Sequence, residues 1–286
     1  MNLELGILFT FGALICWGFG DFFIQRTTRK IGDIESLAFV SIIGSIILLP
    51  FAIKDIYLLD KNGIILLLIL GLTAFIMSIL DFEALKQGKL SVIDVILELE
   101  LPITIVLAYL FFKESLSFFQ FLIIAFIFIS IVLIATKSFK HWKARLEKGV
   151  LIALVAAILM GLVNFLTASS SRLISPILAI WIPWVIITII CLVFIFKRKG
   201  LNKLVKDSIK FKWLILAMGI LDTLAWVFYA NAMIINPISI TTAITESYPA
   251  IALFLGLWLN KEKIKAHQYV GAVIAILACF ILALTI

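Results

Sequence analysis

Long apolar runs, each ended by a short polar or proline-bearing break, set the pattern of this chain. They fall at about 5–25, 34–53, 63–85, 91–112, 117–136, 149–171, 175–196, 213–235, 239–259 and 264–285. A helix of ~20 apolar residues crosses the hydrocarbon of a bilayer, so each run has the length of one span. Most breaks are charged, as at Arg26–Lys30, Lys54–Lys61, Lys86–Lys89, Lys113-Glu114, Lys137–Lys148, Lys197–Lys212 and Lys261–Lys263. Two are weaker, at Ser171–Ser175 and Asn236-Pro237, where small residues and proline stand in for charge. The pattern predicts an all-α integral membrane protein with ten transmembrane helices.

Composition narrows the class. Of 286 residues, 64% are hydrophobic and 14% charged, against about 45–50% and about 25% in soluble domains. A soluble enzyme, a disordered tail and a disulfide scaffold are excluded. Cys16, Cys191 and Cys279 each stand alone in an apolar run, and His141 and His267 lie far apart. Neither a disulfide framework nor metal-ligand spacing is present, and no cofactor is expected. Met1–Gly6 lacks the basic stretch of a signal peptide, so the first run is expected to be a span.

The net charge of +7 acquires a meaning once it is sorted by position. Connections after the first, third, fifth, seventh and ninth runs hold 20 of the 24 Lys and Arg. The other face holds Lys54, Lys61, Lys113 and Arg172. By the positive-inside rule the basic face is cytoplasmic, which puts both termini of this multi-pass chain on the non-cytoplasmic side of the cell membrane. The charge is a topology signal rather than a nucleic-acid footprint. The partner it implies is the lipid bilayer, with a modest pull of the basic loops toward anionic lipid.

The chain also repeats itself. Gly6-Ile-Leu-Phe and Trp17-Gly18-Phe-Gly-Asp21-Phe22 lie on Gly149-Val-Leu-Ile and Met160-Gly161-Leu-Val-Asn164-Phe165, and the register holds to Arg29 against Arg172. Ala84 to Ser91 matches Ala232 to Ser239, Pro102 matches Pro249, and Glu114 and Gln120 match Glu262 and Gln268. Five runs precede the second copy, and an odd number of crossings inverts it. The expected organisation is two inverted-topology five-helix repeats, 1–136 and 149–286, joined by a basic cytoplasmic connector at 137–148. Such repeats place a solute site at the midplane between them and work by rocking.

At these residues the chain resembles the EamA branch of the drug/metabolite transporter superfamily. Trp17-Gly18, Pro102, Pro249 and the Glu114/Gln120 and Glu262/Gln268 pairs carry the resemblance, which covers nearly the whole chain. It implies ten helices in two five-helix halves and secondary transport of small metabolites, often export of amino acids or related compounds. It does not fix the substrate. Asp21, Glu98 and Glu100 depart from it, standing where many members have small or neutral residues.

A carboxylate at the bilayer centre costs roughly 2.5–3.5 kcal/mol, so each deep acid needs a reason. Glu100 lies about 13 Å into its run at 1.5 Å per residue. Asp222 is close to the middle of the eighth run, Glu246 is well inside the ninth, and Asp21 and Glu98 are at intermediate depth. Asp81, Glu83 and Asp94 stand nearer helix ends with Lys86 and Lys89 close by, and read as interfacial. No Lys or Arg lies near the middle of any run, which leaves Arg26 or Arg172 to reach inward from an end. A deep carboxylate without a cationic partner takes up a proton, or binds a cation or the ammonium group of a solute. The chain thus reads as holding a cavity that responds to protons or cations and favours zwitterionic, neutral or cationic solutes over phosphorylated anions. The rival reading is a protonated carboxyl hydrogen-bonded between helices.

Pro102 and Pro249 stand in mid-run, and each frees the carbonyl four residues earlier, at Glu98 and Thr245. Freed backbone at membrane depth is tolerable where it is buried in protein or lines a cavity. Thr242, Thr245, Glu246 and Pro249 share one helix face, as do Glu98 and Pro102. Glu100 is about 200° from Glu98, so only one of the two faces a common cavity. Asp21 and Asn164 are repeat mates, each three residues after a glycine, Gly18 or Gly161, that permits close helix approach. Gating and packing are equal candidates for that pair. Trp17, Trp226, Tyr229 and Tyr248 lie near the acids, either lining a cavity or packing the bundle. Trp181 and Trp184 read as interfacial anchors, and Glu114 and Glu262 as carboxylates at helix N-termini.

Together these features predict a secondary active transporter that moves a small amino acid, amine or similar solute by alternating access. Export is the expected direction, the proton is the candidate coupling ion, and the protein works as a monomer or a homodimer. Alternatives are an uptake porter for a neutral solute such as a sugar, and a non-transporting membrane scaffold. An enzyme is not expected, because Ser169-Ser170-Ser171 has no buried histidine or lysine to activate it.

Overall fold

The computed structural model describes residues 3–113, 117–138, 145–146, 148–245, 248–259, 261 and 263–284. The first half comprises α1 (Leu3–Ile31), α2 (Asp33–Asp55), α3 (Lys61–Gln87), α4 (Leu90–Leu97), α5 (Glu100–Phe112) and α6 (Phe118–Ala135). The second comprises α7 (Val150–Leu173), α8 (Pro176–Lys197), α9 (Leu201–Lys210), α10 (Lys212–Ile235), α11 (Ile238–Thr245), α12 (Pro249–Trp258) and α13 (Ala266–Leu284). A short antiparallel ladder in the connector, β1 (Thr136–Ser138) with β2 (Arg145–Leu146), adds the one departure from the all-α expectation among the described residues. Six helices, α1, α2, α3, α7, α8 and α10, are long and apolar enough to cross a membrane. The apolar runs at 91–112 and 239–259 are each split into two short helices, α4 and α5, and α11 and α12.

Helix starts follow from local side chains. The Ser175 hydroxyl accepts from Ile177 N at 3.2 Å and Leu178 N at 3.4 Å, with Pro176 in the first turn of α8. This cap-and-proline signature explains a helix boundary that carries no charge run. Asp60 caps α3 through Gly63 N at 2.7 Å. The repeated glutamines do the same work in both halves. Gln120 Oε1 accepts from Ser117 N at 2.6 Å ahead of α6, and Gln268 Oε1 accepts from Lys265 N at 2.9 Å ahead of α13. Each satisfies an amide that a helix start leaves orphaned.

The halves interlock. α1 packs along α10 and α3 along α7, while α2 lies against α8 and α6 against α13. α5 meets α7 and α11, and α12 meets α1 and α4. This pattern maps onto itself when the two halves are exchanged. Two glycines set the closest approaches: a Cβ on Gly18 would fall 2.7 Å from Ile251, and one on Gly161 would fall 2.7 Å from Ile103. They seat α1 on α12 and α7 on α5, a different role from the α1–α7 approach that their register with Asp21 and Asn164 suggests.

The helix ends gather into two clusters. In one, Lys86 pairs with Asp33 at 3.4 Å, Lys89 donates to the Lys263 carbonyl at 2.7 Å, and Lys203 donates to the Ile31 carbonyl at 3.1 Å. The Gly149 turn sits against Ala84 and Gly88 in the same cluster. In the other, Ser175 hydrogen-bonds Asp55, Asn236 Nδ2 donates to Thr10 at 3.4 Å, and Arg172 lies over the Phe112 ring. Connections after odd-numbered apolar runs thus meet at one end of the bundle, and those after even-numbered runs meet at the other with the start of α1.

The repeat-related arginines hold equivalent ends. Arg29 donates to the carbonyls of Lys86, at 3.3 Å, and Gly88 where α3 finishes. Arg172 donates to the carbonyls of Met233 at 2.9 Å and Asn236 at 3.0 Å where α10 finishes. A guanidinium on the last carbonyls satisfies acceptors that a helix end exposes and opposes its dipole. Arg172 is therefore committed to a helix end instead of reaching inward, and Arg26 lies over the Phe22 ring, 4.2 Å from its centroid.

Candidate functional site

Both interrupted helices break beside proline in the same way. Pro102 cannot donate to the Glu98 carbonyl, and Leu101 N takes that acceptor instead at 3.1 Å. Pro249 cannot donate to Thr245, and Tyr248 N takes it at 2.9 Å. The freed carbonyls are thus recaptured by the amide three residues on, a tightened turn that keeps both satisfied without a ligand. What each break does is turn the chain just before the proline toward the centre of the bundle, where Glu100 and Tyr248 lie on a common cavity.

That cavity takes walls from both halves. α1 supplies Trp17, Asp21 and Ile24; α3 supplies Met77, Ser78, Asp81 and Phe82; α4 and α5 supply Leu97 and Glu100. From the second half come Met160 and Asn164 on α7, Trp184 on α8, Asp222 and Trp226 on α10, and Tyr248. Among the described residues four carboxyl groups line it, and none of the lining residues is basic. Asp81 Oδ1, Asp222 Oδ2, Asn164 Oδ1 and the Trp184 indole N–H are buried without a hydrogen-bond partner among the described residues. Such groups carry a large desolvation cost, which a polar or charged occupant relieves.

One wall is aromatic. The Trp17 and Trp226 rings meet edge to face with centroids 5.1 Å apart, and Tyr229 and Tyr248 lie 5.2 and 6.2 Å from Trp17. A second, apolar chamber adjoins the cavity, sharing Met77, Ser78, Trp184 and Trp226 with it. Leu70, Ala74, Val163, Ile180, Pro183 and Ile187 complete its lining together with Thr167. The site therefore pairs an acidic, tryptophan-walled compartment with an oily one.

Seven of the residues singled out from the sequence meet here: Trp17, Asp21, Glu100, Asn164, Asp222, Trp226 and Tyr248. Of the two glutamates before Pro102, Glu100 lines the cavity and Glu98 is buried away from it. Tyr229, Thr242 and Thr245 are buried behind the wall, where the Tyr229 hydroxyl hydrogen-bonds Thr242 at 2.9 Å and Thr245 bonds the Thr242 carbonyl. Glu246 lies outside the described residues, as do Glu114 and Glu262. Asp81 and Trp184 are not interfacial: both are buried and line the cavity. Asp81 stands two turns from the end of α3, yet that end is roofed by α4 and α7, so the side chain is buried and faces inward. Trp184 is buried because a glycine opposite it, Gly44, leaves room for the indole between α2 and α8. Trp181 donates to the Ser45 carbonyl at 3.0 Å instead of reaching a headgroup. Glu83 does pair with Lys86, at 2.7 Å.

Comparison with known proteins finds the model of the EamA-like transporter family twice in this chain, at residues 4–136 and 147–284. An uncharacterized protein of Methanocaldococcus jannaschii is 27% identical over 138 residues, 48% of this chain and the whole of that protein. Its full length is thus about that of one repeat. A protein of known crystal structure superposes with a TM-score of 0.67 over 99% of this chain and 98% of its own, at 13% identity, a likeness of fold alone.

Proposed function

The chain belongs to the EamA-like transporter family, a membrane transporter group of the drug/metabolite transporter superfamily, and from that premise we propose an alternating-access carrier of small organic cations and zwitterions. Amines and amino acids with an apolar side chain are the favoured solutes, export the favoured direction, and the proton the coupling ion. The observation that carries this reading is the central cavity with Asp21, Asp81, Glu100 and Asp222 in its lining and no basic residue there among the described residues. A phosphorylated anion meets four acids there. An ammonium group meets carboxylates and tryptophan faces, both of which attract it.

Ten crossings and inverted halves belong to the same proposal. They are supported by the sorting of helix ends into two alternating clusters and by packing that is unchanged on exchange of the halves. Each split pair, α4 with α5 and α11 with α12, then completes one crossing. The basic cluster is assigned to the cytoplasm and both termini to the opposite side. In two inverted repeats the α1–α10 and α3–α7 seams are equivalent, and rocking about them opens the cavity to either side in turn. Asp81 and Asp222, on the third helix of one half and its equivalent in the other, are assigned to proton or substrate binding across those seams. Asp21 and Asn164 are assigned to the gate.

Solute counterflow in proteoliposomes tests the reading, with a panel of amino acids and amines run with and without a pH gradient. The expected result is exchange of at least one cationic or zwitterionic solute, stimulated by the gradient and lost on Asp222→Asn. Exchange confined to neutral sugars or to anions, or no exchange with any solute, overturns it.

A further inference from the structure

α9 has no helical counterpart in the first half, where a single turn at Ile56–Leu58 joins α2 to α3. It joins α8 to α10 within the basic cluster of helix ends. At ~100° per residue, Leu201, Val205 and Ile209 fall within an arc of about 80°. Val205 and Ile209 are 59% and 72% exposed. The opposite side of α9 holds it to the bundle, with Leu204 buried and Lys203 donating to the Ile31 carbonyl and lying 3.4 Å from Glu35. The exposed stripe does not stop at the end of α9. It continues through Trp213, 75% exposed, to Leu216, Ile220 and Leu224 on the outer face of α10, a helix that crosses the membrane by length and composition.

Lys206 stands about 60° beyond the stripe's edge at Ile209, exposed and not paired with an acid among the described residues. Lys210 lies on the Lys203 side of the helix, 5.1 Å from the Phe211 ring centroid. Exposed Lys197, Arg198, Lys199 and Lys212 flank the helix. An apolar stripe continuous with the lipid-facing side of a span, edged by Lys206 and flanked by exposed basic residues, has the chemistry of an interfacial helix. We propose that α9 binds anionic phospholipid of the leaflet on the basic side. The Leu201–Val205–Ile209 stripe sits among acyl chains, and Lys206 lies on the headgroup phosphates. Trp213 marks the depth of the interface. Where α9 runs into α10, which carries Asp222 and Trp226 of the cavity, lipid bound at α9 holds the end of a cavity helix.

The full chain with a fluorophore on Val205→Cys, the native cysteines replaced by alanine, is reconstituted in phosphatidylcholine bilayers containing phosphatidylglycerol. Brominated phosphatidylglycerol is expected to quench the label more strongly than brominated phosphatidylcholine at equal fraction. Lys206→Gln cuts that preference by about fivefold. In parallel, mass spectrometry of the native-cysteine chain follows retained phosphatidylglycerol, which falls in the Lys206→Gln variant. Equal quenching by the two brominated lipids overturns headgroup selectivity. No quenching by either means that water, protein or a second copy covers the stripe, and overturns the proposal outright.

Discussion

Trp17 of α1 and Trp226 of α10 meet edge to face, 86° between ring planes, across the seam that joins the two halves. Each also touches Tyr229, and Trp17 touches Tyr248. An aromatic pair of this geometry contributes about 0.5–1.5 kcal/mol beyond the area it buries. Trp17→Leu and Trp226→Leu are each expected to lower stability in detergent. The double variant is expected to lose less than the two single losses combined, by about that pair energy, because the shared contact can be lost only once. A thermal-unfolding double-mutant cycle measures the difference. Strict additivity would mean the seam contact carries no energy.

Arg29 and Arg172 cap equivalent helix ends, which makes their loss comparable. Arg29→Met and Arg172→Met each remove charge-assisted hydrogen bonds, worth about 1.5–3 kcal/mol apiece, from carbonyls at the end of α3 or α10. Both variants are expected to melt lower. Hydrogen exchange should quicken locally, at 84–88 in the first and at 232–236 in the second. A variant that left its own helix end fully protected would contradict the capping role.

The recaptured carbonyls of Glu98 and Thr245 give the prolines a test of their own. Pro102→Ala returns an amide to compete for the Glu98 carbonyl, which favours a continuous α-helix through the break and removes a penalty of ~3 kcal/mol for proline in a helix interior. Stability is expected to hold or rise while turnover falls, because straightening turns Glu100 away from the cavity. Pro50→Ala, in α2 and on the exposed side, serves as the control and should leave turnover unchanged. Circular dichroism and transport rate on the same preparations decide the matter.

Much of this architecture was legible in order of residue type. Apolar run length located the helices, and the basic connections marked one end of the bundle. The repeat landmarks turned out to be packing and capping parts: Gly18 and Gly161 seat helices, Gln120 and Gln268 cap them, and Arg29 and Arg172 close them. Asp81 and Asp222 in the cavity are the opposite case. Asp81 lies where the second half has Tyr229, 148 residues on, and Asp222 lies where the first half has Ala74. Duplication therefore gives no signal for them. Depth within a run misreads Asp81 as well, since burial near a helix end is set by α4 and α7 folding over it. That is a tertiary fact with no period in the sequence.

Asp81 is consequently the sharpest probe of the cavity. With no basic residue in the lining among the described residues, two carboxylates on α3 and α10 cannot both stay charged at low cost, and an arriving proton or ammonium group relieves them. Asp81→Asn and Asp222→Asn keep the shape and remove the charge. Each is expected to cut transport at least about tenfold, a loss of ~1.4 kcal/mol in the rate-limiting step, and to flatten the response to an imposed pH gradient. The double variant should be little worse than either single one, since the two act on one cation. Glu98→Gln, behind the cavity wall, should keep the pH response. Wild-type transport with an intact pH response in Asp81→Asn would remove α3 from the coupling site and leave Asp222 as its tested member.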